Sequence, residues 1–228
     1  MTPVDFIDWT CPTVSGGRHE EMALVFDRHR SHRLLVLPAW FDEANKLRRQ
    51  TVEIMRRLDL SGVDSMLPDL PGCNESEAPL QEQTLASWRD AAAAAAQAFG
   101  ATHILAIRAG VLIAPLGLPG WSYASTTGAK VLRGLLRART IAAREAGKFE
   151  RVEDLQVRAR AEGIELAGWR IGSTMFGEME HAESRADLPA IDQELVGGSG
   201  LWRRAEPDED PEQADALAGI VAIGIIGQ

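Results

Sequence analysis

The run ILAIRAG at residues 104–110 constrains the fold of this chain more than any other segment. It is a buried-strand pattern that ends in a turn of small residues, as in a nucleophile elbow, where a strand turns sharply into a helix. Small residues two positions before and after the nucleophile allow that turn, and Ala106 and Gly110 meet this need. Arg108 stands at the nucleophile position itself. Because a guanidinium stays protonated in proteins, Arg108 can bind or hold another group but cannot attack one.

Strands and helices alternate ahead of the elbow. Short apolar runs predict buried strands, and apolar residues at helical spacing predict amphipathic helices between them. This alternation is typical of a parallel sheet with crossover helices, and the elbow lies where ligand sites of such sheets form. The first two apolar runs are predicted to be neighbouring strands joined by a turn. The predicted strands cover residues 23–26, 34–37, 63–67 and 104–107, and the predicted helices cover 42–58 and 83–99.

The region after the elbow is predicted to be mainly helical. Pro115 limits any helix that starts at the elbow to a turn or two. A basic amphipathic helix over 128–146 and a second helix over 152–161 are predicted to form a small cap-like insertion at about residues 126–162. The remaining predicted elements are a strand over 164–170, a short helix capped by Ser173 and a last helix from about residue 212.

Length and charge limit the class of protein. The 228 residues are 45% hydrophobic, enough for one sizeable α/β core, so we predict a single domain over residues 1–228. A net charge of −9 excludes a typical nucleic-acid-binding protein, which needs clustered Lys and Arg. The charge is uneven, with nine basic and four acidic residues over 126–160 but three and twelve over 177–215. These two stretches could face each other or both face water.

Cysteine content and the apolar segments bear on location and assembly. Cys11 and Cys73 are too few for a disulfide framework, and the first residues lack the basic and apolar regions of a secretion signal, so we expect a cytoplasmic protein. The longest apolar stretches, 111–123 and 217–227, are too short to span a membrane. Residues 217–226 are apolar on all sides, which predicts either a second subunit across a two-fold axis, and hence a homodimer, or ordinary packing on the core.

Three motifs follow one another along the chain: PAWFDEANKLRR at 38–49, LPDLPGC at 67–73 and IRAG at 107–110. In this order and spacing they resemble the exosortase A system-associated hydrolases, type two. The similarity extends through LLRAR at 135–139, LAGW at 166–169 and LW at 201–202. The resemblance implies an α/β-hydrolase-like fold, a mostly parallel sheet with flanking helices and a small helical cap, in a bacterial protein linked to exopolysaccharide or protein-sorting systems.

The sequence lacks a standard catalytic triad for such a fold. The triad needs a serine, an acid and a histidine in that order along the chain. His181 is the only histidine after the elbow, and it lies in an acidic helix-like segment predicted to face water. Cys73 is a candidate replacement nucleophile, although its loop supplies no local base; the alternative is a thiol that packs the loop.

The residues of the candidate binding site are predicted to lie around the elbow. The backbone N–H groups of Ala109 and of Trp40 or Phe41 are expected to point into its mouth, like an oxyanion hole. Arg108 would then act as a forked donor to a carboxylate or phosphate; alternatively, it pairs with Glu43 or Asp69 as an internal strut. The candidate ligand-binding residues are Trp40, Phe41, Glu43, Asn45, Lys46, Cys73, Arg108 and Ala109.

The sequence predicts binding rather than catalysis. It contains no dinucleotide, P-loop or zinc motif, so we expect no cofactor and no metal. The first hypothesis is a pseudoenzyme or accessory protein that binds a small anionic ligand or a protein partner. The alternatives are an active ester or thioester hydrolase with an unconventional catalytic constellation, and an assembly subunit.

Overall fold

A seven-stranded sheet forms the centre of the computed structural model, which describes residues 4–227. The first three strands in the spatial order pair antiparallel, and all later neighbours pair parallel. In spatial order the strands are β1 (Asp5–Pro12), β2 (Arg18–Phe26), β4 (Asp64–Pro68), β3 (Arg33–Leu37), β5 (His103–Ile107), β6 (Gly120–Tyr123) and β9 (Ala190–Ile191).

Seven α-helices accompany these strands within the described residues, five of them before β9 and two after it. They are α1 (Asp42–Leu60), α2 (Leu85–Ala98), α3 (Gly128–Glu145), α4 (Val152–Glu162), α5 (Ser173–Glu180), α6 (Gln193–Val196) and α7 (Pro211–Ile226). A separate hairpin is formed by β7 (Ile164–Leu166) and β8 (Trp169–Ile171), and 3-10 turns cover Leu80–Glu82, Arg108–Ile113 and Leu201–Arg203.

The sheet separates two apolar cores, and its central strands are buried on both faces. In β3, Leu35 and Leu37 face one core while Leu34 and Val36 face the other, as the two-residue period of a strand requires. The first core includes the apolar faces of α2 and of the helices between β6 and β9. The second includes those of α1 and α7. Helices therefore cover both faces of the parallel strands. The carboxyl ends of these strands lie along one edge of the sheet, where a site can form.

The predicted helices before and after the elbow are confirmed. The chain supplies side-chain caps where several of them begin: Thr84 forms a capping box with Ser87 at α2, Thr127 caps α3, and Asp210 caps α7 just before Pro211. The helix after the elbow is the short 3-10 turn Arg108–Ile113, as Pro115 predicted.

The prediction that residues 23–26 and 34–37 are neighbouring strands is wrong, because β4 lies between β2 and β3. The polar stretch that joins them crosses the end of β4 instead of turning tightly. The Arg30 backbone N–H donates to Asp64 Oδ2 over 2.8 Å, and Arg30 Nη1 donates to Asp64 Oδ1 over 2.9 Å. Arg33 adds a bridge to Asp64 on the same end of β4, at 3.2 Å. These ion pairs and hydrogen bonds attach the connection between β2 and β3 to the first residue of β4.

The single strand predicted over residues 164–170 is two strands, β7 and β8. Ala167 and Gly168 form the turn between them with φ angles of 50° and 86°. The sequence pattern missed this turn because alanine rarely adopts a positive φ. Ser173 is the first residue of α5 rather than its cap, which is Gly172. Strand β1 was also missed, because its first four residues, 5–8, are exposed and leave no burial pattern.

Helix α7 buries one face on the second core and leaves an apolar face in solvent. Ile223 and Ile226 are 75% and 51% exposed. We expect the protein to be a dimer by light scattering at micromolar concentration, because covering this face removes apolar area from water. Ile223→Ser combined with Ile226→Ser should give a monomer, while Leu116→Ser, at an exposed aliphatic residue outside α7, should not change the mass. A wild-type monomer would contradict the prediction.

Candidate functional site

The elbow keeps its backbone geometry although it has no nucleophile. Arg108 has a φ of 54°, a left-handed conformation that is uncommon for a side chain of this size. A Cβ atom on Gly110 would lie 2.5 Å from the carbonyl oxygen of Leu37, so only glycine fits there. Ala106 is fully buried in β5. The two small residues thus allow a sharp turn at the end of β5 that presents Arg108.

Groups from three other segments contact the Arg108 guanidinium and bind three of its five N–H donors. Its Nε and Nη2 donate to the two carboxylate oxygens of Glu43 in α1, over 2.9 and 3.0 Å. Its Nη1 donates to the carbonyl oxygen of Ala124 over 2.5 Å, and the guanidinium carbon lies 4.2 Å from the ring centre of Trp202. The side chain is 14% exposed. Arg108 therefore forms an internal strut with Glu43.

Asp69, the other partner considered for Arg108, is engaged elsewhere. It accepts from Arg48 Nη1 over 3.2 Å and from Asn74 Nδ2 over 2.6 Å. These contacts fix the loop that follows β4.

Backbone strain is concentrated around this strut. Phe41, Arg108, Ala124 and Ala167 all have positive φ angles between 47° and 55°. Each such residue costs about 1–3 kcal/mol and persists only where its surroundings determine it. Phe41 caps α1 beside Glu43, and the Ala124 carbonyl is the acceptor for Arg108. Non-glycine strain of this kind is typical of functional sites.

A cleft of about 330 Å³ opens beside Glu43. The start of α1 and one side of α3 form its walls, together with the β7–β8 turn and Trp202. Most of the lining is apolar, and the Lys130 ammonium has no ion-pair partner among residues 4–227. The lining residues are Trp40, Phe41, Asp42, Glu43, Lys130, Val131, Gly134, Leu135, Ala138, Ala167 and Trp202.

Three of the eight candidate residues line this cleft: Trp40, Phe41 and Glu43. Trp40 is buried edge-on against Trp88, with ring centres 5.0 Å apart, and its Nε1 has no hydrogen-bond partner within the described part of the chain.

The remaining candidates around the elbow lie outside the cleft lining. Arg108 lies behind Glu43 and Trp202. Asn45 is exposed on α1, and Lys46 forms an ion pair with Asp42 at 2.7 Å. Ala109 is buried in the 3-10 turn after the elbow.

Cys73 lies in a separate gap beside Trp40 and Leu70, with a volume of only about 10 Å³. Burial of the thiol raises the pKa of Cys73 to about 12, and the charges of Asp69 and Glu21 act in the same direction. A thiol held protonated at neutral pH is a poor nucleophile. Cys73 packs the loop after β4.

The described residues bring no histidine to the elbow. His181 follows α5 and is exposed to solvent. His103 begins β5, whereas Arg108 follows the opposite end of that strand. Within residues 4–227 no three His, Cys, Asp or Glu side chains are grouped so as to hold a metal ion.

Sequence reasoning missed three contributors to the site. Lys130, Ala124 and Trp202 reach it from α3, from the end of β6 and from the turn after α6. Only Trp202 carried a sequence signal, since it falls in one of the motifs of the family resemblance. Position along the chain gives no indication that these segments meet.

Comparisons with known proteins identify the fold. No protein-family model and no curated protein matches the sequence. A solved putative hydrolase from Agrobacterium vitis S4 is similar over 98% of this chain and 99% of its own, with a TM-score of 0.52 and 16% identity. The α/β hydrolase GrgF from Penicillium sp. sh18 covers 83% of this chain and 79% of its own, with a TM-score of 0.50 and 14% identity.

This chain has the α/β-hydrolase fold. At these identities the likeness concerns the fold alone, and chemistry must be argued from the site.

Proposed function

We propose that this α/β-hydrolase-fold protein is a non-catalytic binding protein that takes a small ligand into the cleft beside Glu43. The observation that carries the proposal is the bidentate ion pair between Arg108, at the nucleophile position, and Glu43. Its N–O distances are 2.9 and 3.0 Å. A guanidinium at this position has no nucleophilic electron pair, and three of its five N–H donors are already bound within the protein.

The chemistry of the cleft favours a ligand with an apolar body and one anionic group. Trp40, Phe41 and Leu135 supply apolar walls, as is usual for small-molecule sites. Glu43 compensates the charge of Arg108, so the unpaired cation at the cleft is Lys130. An anion such as a carboxylate or phosphate would therefore bind at Lys130, and Arg108 would hold the wall in place.

Nothing near the elbow favours the alternative of an active ester or thioester hydrolase. Such an enzyme needs a nucleophile, a base and stabilisation of the oxyanion. The nearby thiol of Cys73 is held protonated, and His181, the histidine that follows the elbow along the chain, is exposed just after α5.

We extend the proposal to an accessory role beside exosortase and exopolysaccharide systems in the bacterial cytoplasm, on the strength of the three sequence motifs alone. A protein partner from those systems would be an equally suitable occupant of the cleft if it inserted an apolar side chain beside an acidic one. Co-purification of such a component with the wild-type protein, and its loss on closure of the cleft, would support this extension.

The test combines a covalent probe with a binding probe. We expect no labelling by a fluorophosphonate, because no activated serine lies at the elbow. We expect the apolar sulfonate 1-anilinonaphthalene-8-sulfonate to bind with an increase in fluorescence. Gly134→Leu should abolish this binding, because a Cβ at Gly134 meets nothing within 4 Å and the side chain can extend into the cleft.

The matched control is Gly177→Leu in α5, which also adds a leucine to an open helical glycine but lies outside the cleft lining. It should bind the sulfonate like the wild type, while Lys130→Gln should weaken binding by about tenfold through loss of one charge contact. Fluorophosphonate labelling of a serine near the elbow, or equal binding by both leucine variants, would refute the proposal.

A further inference from the structure

The hairpin formed by α3, the loop 146–151 and α4 carries unpaired positive charge. Arg133, Arg137 and Arg144 lie at helical spacing along one exposed stripe of α3. None of the three forms a side-chain hydrogen bond or ion pair with any residue of the range 4–227. Residues 126–160 hold nine basic and four acidic side chains, against fifteen and twenty-nine in the rest of the sequence. The molecule therefore has one basic side on an otherwise acidic surface.

The same hairpin exposes large apolar side chains. Phe149, in the loop between the two helices, is 82% exposed, and Val157 and Ile141 on the helices are 65% and 47% exposed. Lys148 precedes Phe149 directly. A basic surface that contains exposed aromatic and aliphatic residues is typical of proteins that lie on an anionic bilayer.

A groove between α3 and α4 adds a recess for a headgroup. It has a volume of about 370 Å³, with Arg133, Arg137 and Thr140 on one side and Val152 and Gln156 on the other. Glu180 also lines the groove, but its charge is compensated by Arg160, at 2.7 Å. The two arginines are thus free to meet phosphate oxygens.

A second copy of the chain is a poorer occupant for this face. The acidic stretch 177–215 would be the complementary surface, but many of its carboxylates already bind arginines of the same chain. These ion pairs are Glu209 with Arg49, Asp215 with Arg57, Asp208 with Arg204, Asp187 with Arg185 and Glu180 with Arg160. Only the last of them joins this stretch to the basic one.

We propose that the α3–α4 hairpin binds the surface of an anionic lipid bilayer, with Phe149 at the acyl boundary and the arginine stripe at the lipid phosphates. Among residues 4–227 no helix is long and apolar enough to cross a membrane. The proposal does not depend on the ligand assigned to the cleft.

Vesicle sedimentation tests the proposal on the full chain. The wild type should sediment with vesicles of phosphatidylglycerol in phosphatidylcholine, should remain in solution with phosphatidylcholine alone, and should be released by high salt. Arg133→Gln combined with Arg137→Gln should weaken binding by about tenfold or more, and Phe149→Ser by about tenfold.

Two control variants distinguish binding through this face from nonspecific adsorption to vesicles. Leu116→Ser removes a leucine outside the hairpin that is 84% exposed, and Arg18→Gln with Arg203→Gln removes two exposed charges outside the hairpin. Both should bind vesicles like the wild type. Absence of binding to anionic vesicles, or equal losses in the control and hairpin variants, would overturn the proposal. A change in self-association caused by Phe149→Ser without vesicle binding would overturn it in favour of a second copy.

Discussion

Replacing Arg108 with alanine should lower the free energy of unfolding by about 2–4 kcal/mol, since removing one partner of a largely buried ion pair leaves the other uncompensated. Arg108 joins four segments of the chain: the end of β5, Glu43 at the start of α1, the Ala124 carbonyl after β6 and the Trp202 ring. Loss of the side chain removes three hydrogen bonds and a cation–π contact together. Urea denaturation measures the effect.

Arg49→Ala is the matched control. Arg49 pairs with Glu209, but its side chain is 67% exposed, so its loss should change stability by about 0.5 kcal/mol or less. Glu43→Ala should resemble Arg108→Ala, and the double variant should lose less than the two single variants combined, because they share one interaction. Equal stability of the Arg108 and Arg49 variants would show that the strut contributes nothing.

Gly110→Ala should destabilise the protein by about 3 kcal/mol or more, an overpacking effect at the upper end of its range. The new Cβ would lie 2.5 Å from the Leu37 carbonyl oxygen and 2.8 Å from that of Pro38. Both are backbone atoms of the strand end and loop beside the elbow, so no side-chain rotation relieves the clash. The expected readout is a lower melting temperature with a weaker response to the cleft probe, since Trp40 follows Pro38 closely.

Gly177→Ala controls for the change from glycine to alanine itself. A Cβ at Gly177 in α5 meets nothing within 4 Å, so the substitution should raise stability by up to about 1 kcal/mol through helix propensity. If Gly110→Ala were as stable as Gly177→Ala, β3 and the elbow would have to separate readily, and the conclusion that only glycine fits at residue 110 would be wrong.

The two predictions assign structural roles to Arg108 and Gly110 in the elbow. The position of Arg108 holds the nucleophile in enzymes with this elbow. The tight turn, its two small residues and its positive φ remain, and a side chain that binds the neighbouring segments replaces the nucleophile. The strain at Phe41, Arg108 and Ala124 is held by that network. Under the proposed function, such an elbow would stabilise the wall of the cleft rather than take part in a reaction.

The sequence by itself determined the periodic elements and the absence of a standard catalytic triad. Helical spacing located α1, α2, α3 and α4, because an amphipathic face repeats locally along the chain. Ala106 and Gly110 identified the elbow, and Pro115 the short turn after it, since these backbone limits depend on a few adjacent residues. The absence of a histidine after residue 181 is equally a property of the sequence.

Only the tertiary structure decided which residues meet. The sequence left Glu43 and Asp69 open as partners of Arg108, and the fold selected Glu43, which lies 65 residues away along the chain. The fold also inserted β4 between β2 and β3 and brought Lys130 and Trp202 to the cleft. Pairings of this kind depend on the packing of crossover connections around the sheet, a non-local property that periodicity and spacing do not encode.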